Sequence, residues 1–358
     1  MLDSLYEKAL IKKDYINERI NIDFDDLNID PSFYWREYTI NEDDISLTIC
    51  AGDGSINKKN FMSFIFYAIN AECLVYNKEL KKIESSEIDI IPHHRHVEDR
   101  LRSYMGIFEI KNALRAFDEH DVEVFLFDGS ILGNLIRPSP LENKLQSELK
   151  DKIKDKYLSK LEKEFYNGLK NLNIRITSSK FSKTIEEEYE DKTDAMIYLE
   201  SLENLLVISE LLKNGKAIVA ISKTSTRNEY FQVEIPDMAV FDRCSSKEGY
   251  SEPKYIHISD PQVKREDFPV RNNFFRSLIF TIFYARLEDH KNIMKFELPY
   301  KADEEHIKKI LSVIKSSSAE GYPLLLKKAH NDVVIRKADL ERLSKIIGFM
   351  EKSGREML

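Results

Sequence analysis

The chain has 358 residues, 42% of them hydrophobic and 32% charged, with a formal net charge of −8. It is long enough for one large domain or two medium ones, and it contains no apolar run of about 18 residues that would cross a membrane. The acidic total argues mildly against a nucleic-acid partner, although such a total can conceal a basic groove. Because the N-terminal residues lack the apolar core of a signal peptide, we expect a cytoplasmic protein with no membrane partner.

The first half of the chain predicts strands separated by one long helix. We expect a helical or irregular lead-in over 1–44, which contains Trp35, and then a strand over 45–50. The segment over 61–76 is expected to form one strand, or a hairpin that is broken near Asn70. A polar stretch, a helix over 97–120 and a strand over 122–127 follow. The last of these, VEVFLF, is apolar throughout, which is typical of a central strand that is buried on both faces.

The second half begins with a charged, helix-favouring segment over about 140–215, which we interpret as a helical insertion between two parts of one sheet. Strands are predicted at 216–222, 237–241, 254–259 and 292–299, followed by a helical C-terminal part and a tail over 346–358. Strands interleaved with helices predict an α/β fold in layers.

The three cysteines, Cys50, Cys73 and Cys244, are odd in number, widely spaced and set in apolar surroundings. We predict that they are small core residues rather than members of a disulfide framework. The chain contains no CxxC pair, which argues against a cysteine zinc site.

The tripeptide Asp-Gly-Ser occurs twice, at 53–55 and at 128–130, each time directly after an apolar run. Such a tripeptide can simply form a turn, because Asp caps its own backbone and Gly accepts positive φ. Two copies favour a second interpretation, since functional groups gather just beyond strand ends in α/β sheets. Asp53 and Asp128 are then expected to converge on one site, whereas Ser55 and Ser130 are assigned no role.

Converging carboxylates have two common uses, which are acid–base chemistry on sugars and the binding of a hard divalent cation for phosphoryl transfer. The small residues after each Asp leave room for a phosphate backbone. The residue pattern alone leaves both uses open. A glycosidase is disfavoured because sugar-stacking sites use several tryptophans, and Trp35 is the only one in the sequence.

Five segments resemble the NurA nuclease family in their order and approximate spacing: GDGSINKKN, FLFDGSILG, AIVAISKTS, SDPQVKREDFPVR and GYPLLLKKAHNDVVI. The resemblance covers about residues 45–345 and implies a ribonuclease H-like mixed sheet flanked by helices. It further implies a manganese-dependent nuclease, with magnesium as an alternative ion, that acts as a single-strand endonuclease and 5′-to-3′ exonuclease on single-stranded and duplex DNA. It also implies a homodimer that works with a HerA-type hexameric helicase in DNA end resection.

The same resemblance assigns metal ligands to Asp53, Glu109, Asp128 and His330, and a further catalytic role to Tyr322. The assignment of Glu109 depends on the least distinctive of the motifs, and the alternative is that Glu109 is a solvent-exposed residue of the helix. For His330 the alternatives are an acid–base group or a phosphate contact, because the ordinary pKa of histidine is near neutrality. An imidazole ligand suits manganese better than magnesium.

Basic residues near these motifs are expected to hold DNA. The predicted contacts are Lys223, Arg227, Arg265 and Arg271, the last two in a segment that also contains Lys264, Arg276, Phe268, Phe274 and Phe275. Basic and aromatic residues together can follow a single strand and stack its bases, although the phenylalanines can equally fill the core. We predict a solvated loop for the cluster His93, His94 and His96, and a structural role for His257.

Two other functions stay open at this point. One is a ribonuclease H-like nuclease that acts on RNA or on junctions, and the other is a catalytically weak DNA-binding platform for a translocase. The presence of an acid at each matched position argues against the second.

Overall fold

The computed structural model describes residues 2–20, 30–41, 47–139, 141–142, 144–171, 174–261, 263, 265 and 267–349. Residues 45 and 46 of the first predicted strand, Lys264 and most of the predicted C-terminal tail lie outside this described part. No helix within it is both long enough and apolar enough to span a bilayer.

One mixed sheet organises the described chain. Its strands are β1 Trp35–Glu37, β2 Ile49–Asn60, β3 Ile65–Asn77, β4 Glu79–Ile91, β5 Val124–Asp128, β6 Ala217–Ser222, β7 Gly249–Ser251, β8 Lys254–His257, β9 Ile279–Arg286 and β10 Met294–Leu298, while β11 Ser318–Ala319 and β12 Tyr322–Pro323 form a separate short hairpin. The strand order is β1-β7-β9-β10-β6-β5-β2-β3-β4, and β8 pairs with β9. The central strands β6, β5 and β2 are parallel, and the other neighbours are antiparallel.

Helices cover both faces of this sheet. In chain order the helices of the described residues are α1 Asp3–Ile20, α2 Val97–Glu119, α3 Ile131–Ile136, α4 Ser147–Lys170, α5 Ser182–Glu188, α6 Lys192–Lys213, α7 Asp237–Cys244, α8 Asn272–Arg276, α9 Glu304–Ser316, α10 Leu324–Val333 and α11 Lys337–Ile347. Of these, α1 is exposed along its length and is not part of the layers. One apolar cluster joins the sheet to α2, with α4, α5 and α6 packed outside it, and a second joins the opposite face to α9 and α10. The predicted helical insertion and helical C-terminal part therefore supply opposite layers.

Alternation along β2 and β5 decides which side chain enters which layer. Cys50 and Phe125 pack toward α2, whereas Ala51 and Leu126 pack toward α9 and α10. Because β5 has helices on both sides, it is buried on both faces, as its continuous apolar sequence predicts.

Two buried ion pairs tie α2 to the helical insertion. Arg100 donates from Nε and a terminal nitrogen to the two oxygens of Glu200, at 2.8 and 2.7 Å. One turn of α6 further, Glu203 accepts from Lys111 Nζ at 2.7 Å. Paired charges with this many hydrogen bonds are the form in which buried ions are tolerated. They hold α6 firmly against α2.

The first Asp-Gly-Ser does not end a strand, which corrects the expected turn. β2 continues through it to Asn60, in antiparallel register with β3, so that Asp53 pairs with Glu72 and Gly54 with Ala71. The second copy behaves as expected, because β5 ends at Asp128. The segment over 61–76 forms the single strand β3, and it runs through Asn70 unbroken.

Other predictions fail at the edges of the sheet. The polar stretch after β3 contains the edge strand β4, whose side chains are mostly exposed and therefore lack an apolar pattern. The predicted strand over 237–241 is part of helix α7, because its apolar residues Val240 and Phe241 occupy one helical face. The strand β9 follows directly after the basic and aromatic segment and was not predicted.

The cysteine prediction is partly wrong. Cys50 and Cys73 are fully buried in neighbouring strands, as expected for core residues, but the structure joins them in a disulfide with Cα atoms 6.6 Å apart. The pairing follows from the strand register, since Cys73 lies opposite Gly52 and faces the same layer as Cys50. Cys244 is free and exposed at the end of α7, rather than in the core.

Candidate metal centre

Asp53 and Asp128 lie side by side on adjacent parallel strands. Gly52 pairs with Phe127, so the next residue on each strand is an aspartate, and both point to the layer of α10. Since β5 ends there while β2 continues, the two carboxylates stand at the edge where the sheet opens. The predicted convergence of the two Asp-Gly-Ser motifs is therefore observed.

His330 reaches this edge from α10. Its Nδ1 lies 2.8 Å from Oδ2 of Asp53, which places the imidazole against the carboxylate pair. Asp53, Asp128 and His330 each offer a ligand atom, and these atoms lie within 4.8 Å of one another. Two carboxylates and an imidazole at such separations form a ligand set suited to a divalent transition metal.

Glu109 approaches the same edge from α2, on the opposite face of the sheet. It lies beneath Gly52, where a β-carbon would be only 3.7 Å from Glu109 Cγ. The side chain is 3% exposed, and Oε1 has no hydrogen-bond partner among the described residues. A buried carboxylate oxygen without a partner is costly, and a bound cation would satisfy it. The alternative of a solvated helix position is thus wrong.

The electrostatics of the three acids also favour a cation. Burial raises the pKa of Glu109 well above its ordinary value, and the charges of Asp53 and Asp128 raise it further. Burial and the charge of Asp128 also raise the pKa of Asp53, against the lowering effect of its hydrogen bond with His330. Like charges held together in a poorly solvated place repel one another unless a positive charge is added. The residues present therefore fit a divalent ion.

Lys223 and Tyr322 complete the surroundings of Asp128. Lys223 follows β6 directly and donates from Nζ to Oδ2 of Asp128 at 2.8 Å. The same Nζ lies 5.0 Å from the centre of the Tyr322 ring. Burial lowers the pKa of Lys223, but the bond to Asp128 outweighs this effect, and the pKa is raised. Burial raises the pKa of Tyr322 to about 12, so its phenol is protonated at neutral pH.

The other predicted DNA contacts are not brought to this centre. Arg265 is 5% exposed, forms an ion pair with Glu142 and donates to the carbonyl of Leu135 at 2.6 Å. Its guanidinium is therefore used inside the protein. Arg271 lies 3.0 Å from Glu162 on α4, and Arg227 lies 3.6 Å from Glu229, both partly exposed.

The serines of the two motifs have structural contacts. Ser130 caps α3 by accepting from the amide of Gly133, and its hydroxyl donates to Glu297 at 2.7 Å. Ser55 accepts from the amide of Ile335 and so joins β2 to the segment after α10.

Two buried acids near the centre, Glu297 and Glu72, lie outside the sequence motifs that predict the site. Glu297 accepts from Ser130, from the amide of Leu132 and from Lys295, and so fixes the loop after Asp128. Glu72 lies opposite Asp53 in the sheet and pairs with Lys82 at 2.9 Å. In each case a Glu interrupts an apolar strand, and that signal could have identified both.

The histidine cluster has protein contacts. His93 Nε2 lies 2.8 Å from the carbonyl oxygen of Phe61, and His94 lies 3.5 Å from Asp194. His93 is exposed and the side chains of His94 and His96 are half-buried, so the expected solvated loop is only partly observed. His257 lies in β8, with an exposed side chain.

A carboxylate and imidazole cluster at the end of parallel strands, in a mixed sheet between helical layers, defines an α/β protein with a candidate divalent-metal centre. The sequence profile of the NurA domain family matches residues 47–335 of this chain. The chain belongs to the NurA family.

Curated relatives and solved structures are similar over most of their length. The probable DNA double-strand break repair nuclease NurA of Methanocaldococcus jannaschii is 31% identical, with 86% of this chain and 80% of the relative covered. The DNA double-strand break repair nuclease NurA of Saccharolobus solfataricus is 25% identical, with 88% of this chain and 85% of the relative covered.

The crystal structure of the Sulfolobus solfataricus NurA nuclease superposes on this chain with a TM-score of 0.72 at 23% identity, covering 97% of both chains. A structure of NurA bound to dAMP and manganese superposes with a TM-score of 0.70 at 17% identity, covering 98% of both. These likenesses support the mixed α/β architecture, while the ribonuclease H-like assignment stays a prediction.

Proposed function

We propose that this protein is a divalent-metal-dependent nuclease that hydrolyses phosphodiester bonds of DNA. The observation that carries the proposal is the cluster of Asp53, Asp128 and His330, with a buried, unpartnered oxygen of Glu109 beneath the neighbouring Gly52. Relatives named as DNA double-strand break repair nucleases support the substrate class. The NurA structure bound to dAMP and manganese supports both a nucleotide ligand and a metal.

Asp53, Glu109, Asp128 and His330, which are the ligands that the family resemblance implies, would hold the ion. A divalent ion bound there supplies a Lewis acid that makes water nucleophilic at neutral pH and offsets the charge on the leaving oxygen. Asp53 orients the imidazole of His330 through their hydrogen bond. Glu109 contributes its carboxylate from the opposite layer, so that ligands approach from two sides.

Lys223 would bind the scissile phosphate. Its ammonium stands beside Asp128 and is partly exposed, which leaves it free to turn from the carboxylate to a phosphate oxygen. The protonated phenol of Tyr322, on the other side of Lys223, would limit where that ammonium can move and can donate to the substrate. Arg227 is retained as a weaker candidate for a DNA contact, whereas the buried pairing of Arg265 removes it from the proposed set.

The finer parts of the proposal follow the family resemblance. We propose manganese as the preferred ion with magnesium as an alternative, single-strand endonuclease and 5′-to-3′ exonuclease activity, a homodimer, and cooperation with a HerA-type helicase in end resection. The imidazole ligand supports manganese, because nitrogen donors are better tolerated by transition metals than by magnesium.

The test is cleavage of single-stranded DNA labelled at its 5′ end, with manganese, magnesium or EDTA. We expect cleavage with manganese, none with EDTA, and none in Asp53→Asn or Asp128→Asn proteins that keep the wild-type circular dichroism spectrum. Full activity in either folded variant would overturn the proposal. Competition with RNA, hybrid and junction substrates decides the substrate class, since preferential cleavage of RNA would favour the alternative nuclease.

A further inference from the structure

A cleft of about 570 Å³ leads away from the metal centre between α2, α3 and α6. Glu109 and Asp128 are among the residues that line it, together with His96 and Lys144. Its volume falls in the range of roughly 300–1,000 Å³ that is usual for sites holding small organic ligands. The cleft therefore reaches the proposed metal centre at Glu109 and Asp128, on the α2 side of the sheet, and it is too small for a duplex.

Aliphatic side chains form much of its wall. Met105 of α2, Ile131 of α3, and Ile197, Leu205 and Ile208 of α6 all face it. Surfaces of this kind accept the flat faces of nucleobases, which are the least polar part of a nucleotide.

The acids inside the cleft are neutralised by neighbouring residues. Glu200 is paired with Arg100, and Glu142 is paired with Arg265, in both cases through hydrogen-bonded ion pairs. These residues also line the cleft, so apart from the metal centre they leave little net negative charge in its interior.

Two exposed cations at the rim have no such partner. Arg137 and Lys144 line the cleft, and neither side chain forms an ion pair or hydrogen bond with the described residues. A third rim cation, Arg102, lies 3.6 Å from Asp99 and is thus partly compensated. Unpaired cations beside an apolar cleft complement a ligand that carries both phosphates and bases.

We propose that this cleft binds one or two nucleotides of a single DNA strand adjacent to the scissile phosphate, with their bases on the aliphatic wall and a backbone phosphate at Arg137 and Lys144. The inference rests on the proposed nuclease function, because it assigns the path of the substrate beside the same acids. Such a path would favour single strands over duplexes, since only an unpaired strand can enter the cleft.

The test is binding of a fluorescent 12-nucleotide oligothymidylate in EDTA, measured by anisotropy over a series of salt concentrations. We expect the double variant Arg137→Ala/Lys144→Ala to bind the oligonucleotide about 10-fold more weakly. Its slope of log Kd against log salt concentration should be smaller by about 0.7 for each phosphate that the two side chains neutralise in the wild type. Lys170→Ala, at the exposed end of α4, is the matched control and should leave both values unchanged. An unchanged slope in the double variant, or an equal decrease in the control, would overturn the proposal.

A second variant tests whether the cleft must be open for binding, independently of the charges at its rim. Asn204→Trp places a large side chain in the cleft without removing a charge, so it should weaken binding while the salt slope stays at the wild-type value. Wild-type affinity in Asn204→Trp contradicts the proposed path. Tighter binding of a 12-nucleotide oligouridylate than of the oligothymidylate contradicts the assignment to DNA.

Failure of this inference can be told from failure of the function. If the wild-type protein cleaves DNA with manganese but the double variant keeps its salt slope, the cleft assignment is wrong and the nuclease stands. If the double variant has a reduced slope but no protein cleaves DNA, the nuclease proposal is wrong and the assigned position beside a scissile phosphate fails with it.

Discussion

Nδ1 of His330 lies 2.8 Å from Oδ2 of Asp53, although 277 positions separate the two residues in the chain. The contact joins α10 to β2 and brings the helical layer at the C-terminal end of the chain onto the central strands. Because Asp53 is only 8% exposed and the imidazole is about half exposed, the carboxylate is the fixed partner and the histidine is the one that can adjust.

Loss of one carboxylate should remove activity without unfolding the protein. We expect Asp128→Asn to lower kcat by roughly 1,000-fold or more, equivalent to about 4 kcal/mol of transition-state stabilisation, because an amide is a poor ligand for a divalent ion. Manganese-dependent cleavage under single-turnover conditions measures the effect. Asp118→Asn, an exposed position on α2, is the control and should retain wild-type activity.

Lys223 should separate metal binding from catalysis. It bonds Asp128 at 2.8 Å, so it competes with a cation for that carboxylate. We therefore expect Lys223→Ala to bind manganese at least as tightly as the wild type by titration calorimetry, while cleavage falls about 10- to 100-fold because no ammonium holds the scissile phosphate. Lys216→Ala, directly before β6 and at the opposite end of that strand, should change neither measurement. Weaker manganese binding in Lys223→Ala would show that the lysine supports the site rather than the substrate.

Glu109 should make the metal-free protein less stable as the pH rises. Burial, together with Asp53 and Asp128, raises the folded-state pKa of Glu109 above the ordinary value of 4.5. The folded state then retains a proton that the unfolded state releases, so the free energy of unfolding falls as the pH rises above about 4.5 toward the folded-state pKa. We expect Glu109→Gln to be more stable than the wild type in EDTA at pH 7, with a difference that shrinks toward pH 4.

Melting temperatures measured from pH 4 to 8 check this prediction. Added manganese should make the wild type more stable than Glu109→Gln, because a bound ion stabilises the folded protein by mass action. At a manganese concentration of 100 times its Kd the wild type gains about 2.7 kcal/mol, and the variant, which lacks one ligand, gains less. A wild-type protein that is more stable than Glu109→Gln at pH 7 in EDTA contradicts it.

The ion pair between Arg100 and Glu200 should be essential to the attachment of α6. Removing one partner leaves an uncompensated buried charge, so Arg100→Met should cost about 3–5 kcal/mol of unfolding free energy. The double variant Arg100→Met/Glu200→Leu should recover much of that stability, since it removes both charges. Urea unfolding of the single and double variants measures the difference, and equal destabilisation of both would contradict a buried pair.

Much of the central sheet was predictable because its residues carry a strong local signal. The continuous apolar run over Val124–Phe127 required burial on both faces, and an aspartate at its end had to face the open edge of the sheet. Asp53 was expected beside it as the end of a second apolar strand, and it does lie there, although β2 continues past it. Glu109 and His330 were assigned through the resemblance of their motifs to a known family, since helical periodicity alone gives a polar residue no function.

The edges of the sheet and the uses of its cations were decided by tertiary structure. β4 is an edge strand with mostly exposed residues, so burial imposes no alternation on its sequence. The segment over 237–241 has an apolar run that suits either a strand or a short helix, and packing selected α7. Arg265 looks like a DNA contact among its neighbours, yet Glu142, 123 positions earlier, binds it inside the protein.

The α/β architecture, the buried central strand β5 and the pairing of Asp53 with Asp128 could thus be predicted from the chain alone, because strand burial leaves periodic and local signals. Only the tertiary structure decided that β2 runs through its Asp-Gly-Ser, that Ser130 serves Glu297 and α3, and that a cleft opens beside Glu109. Those features arise where residues distant in the chain meet, and no local pattern encodes which partner a side chain will find.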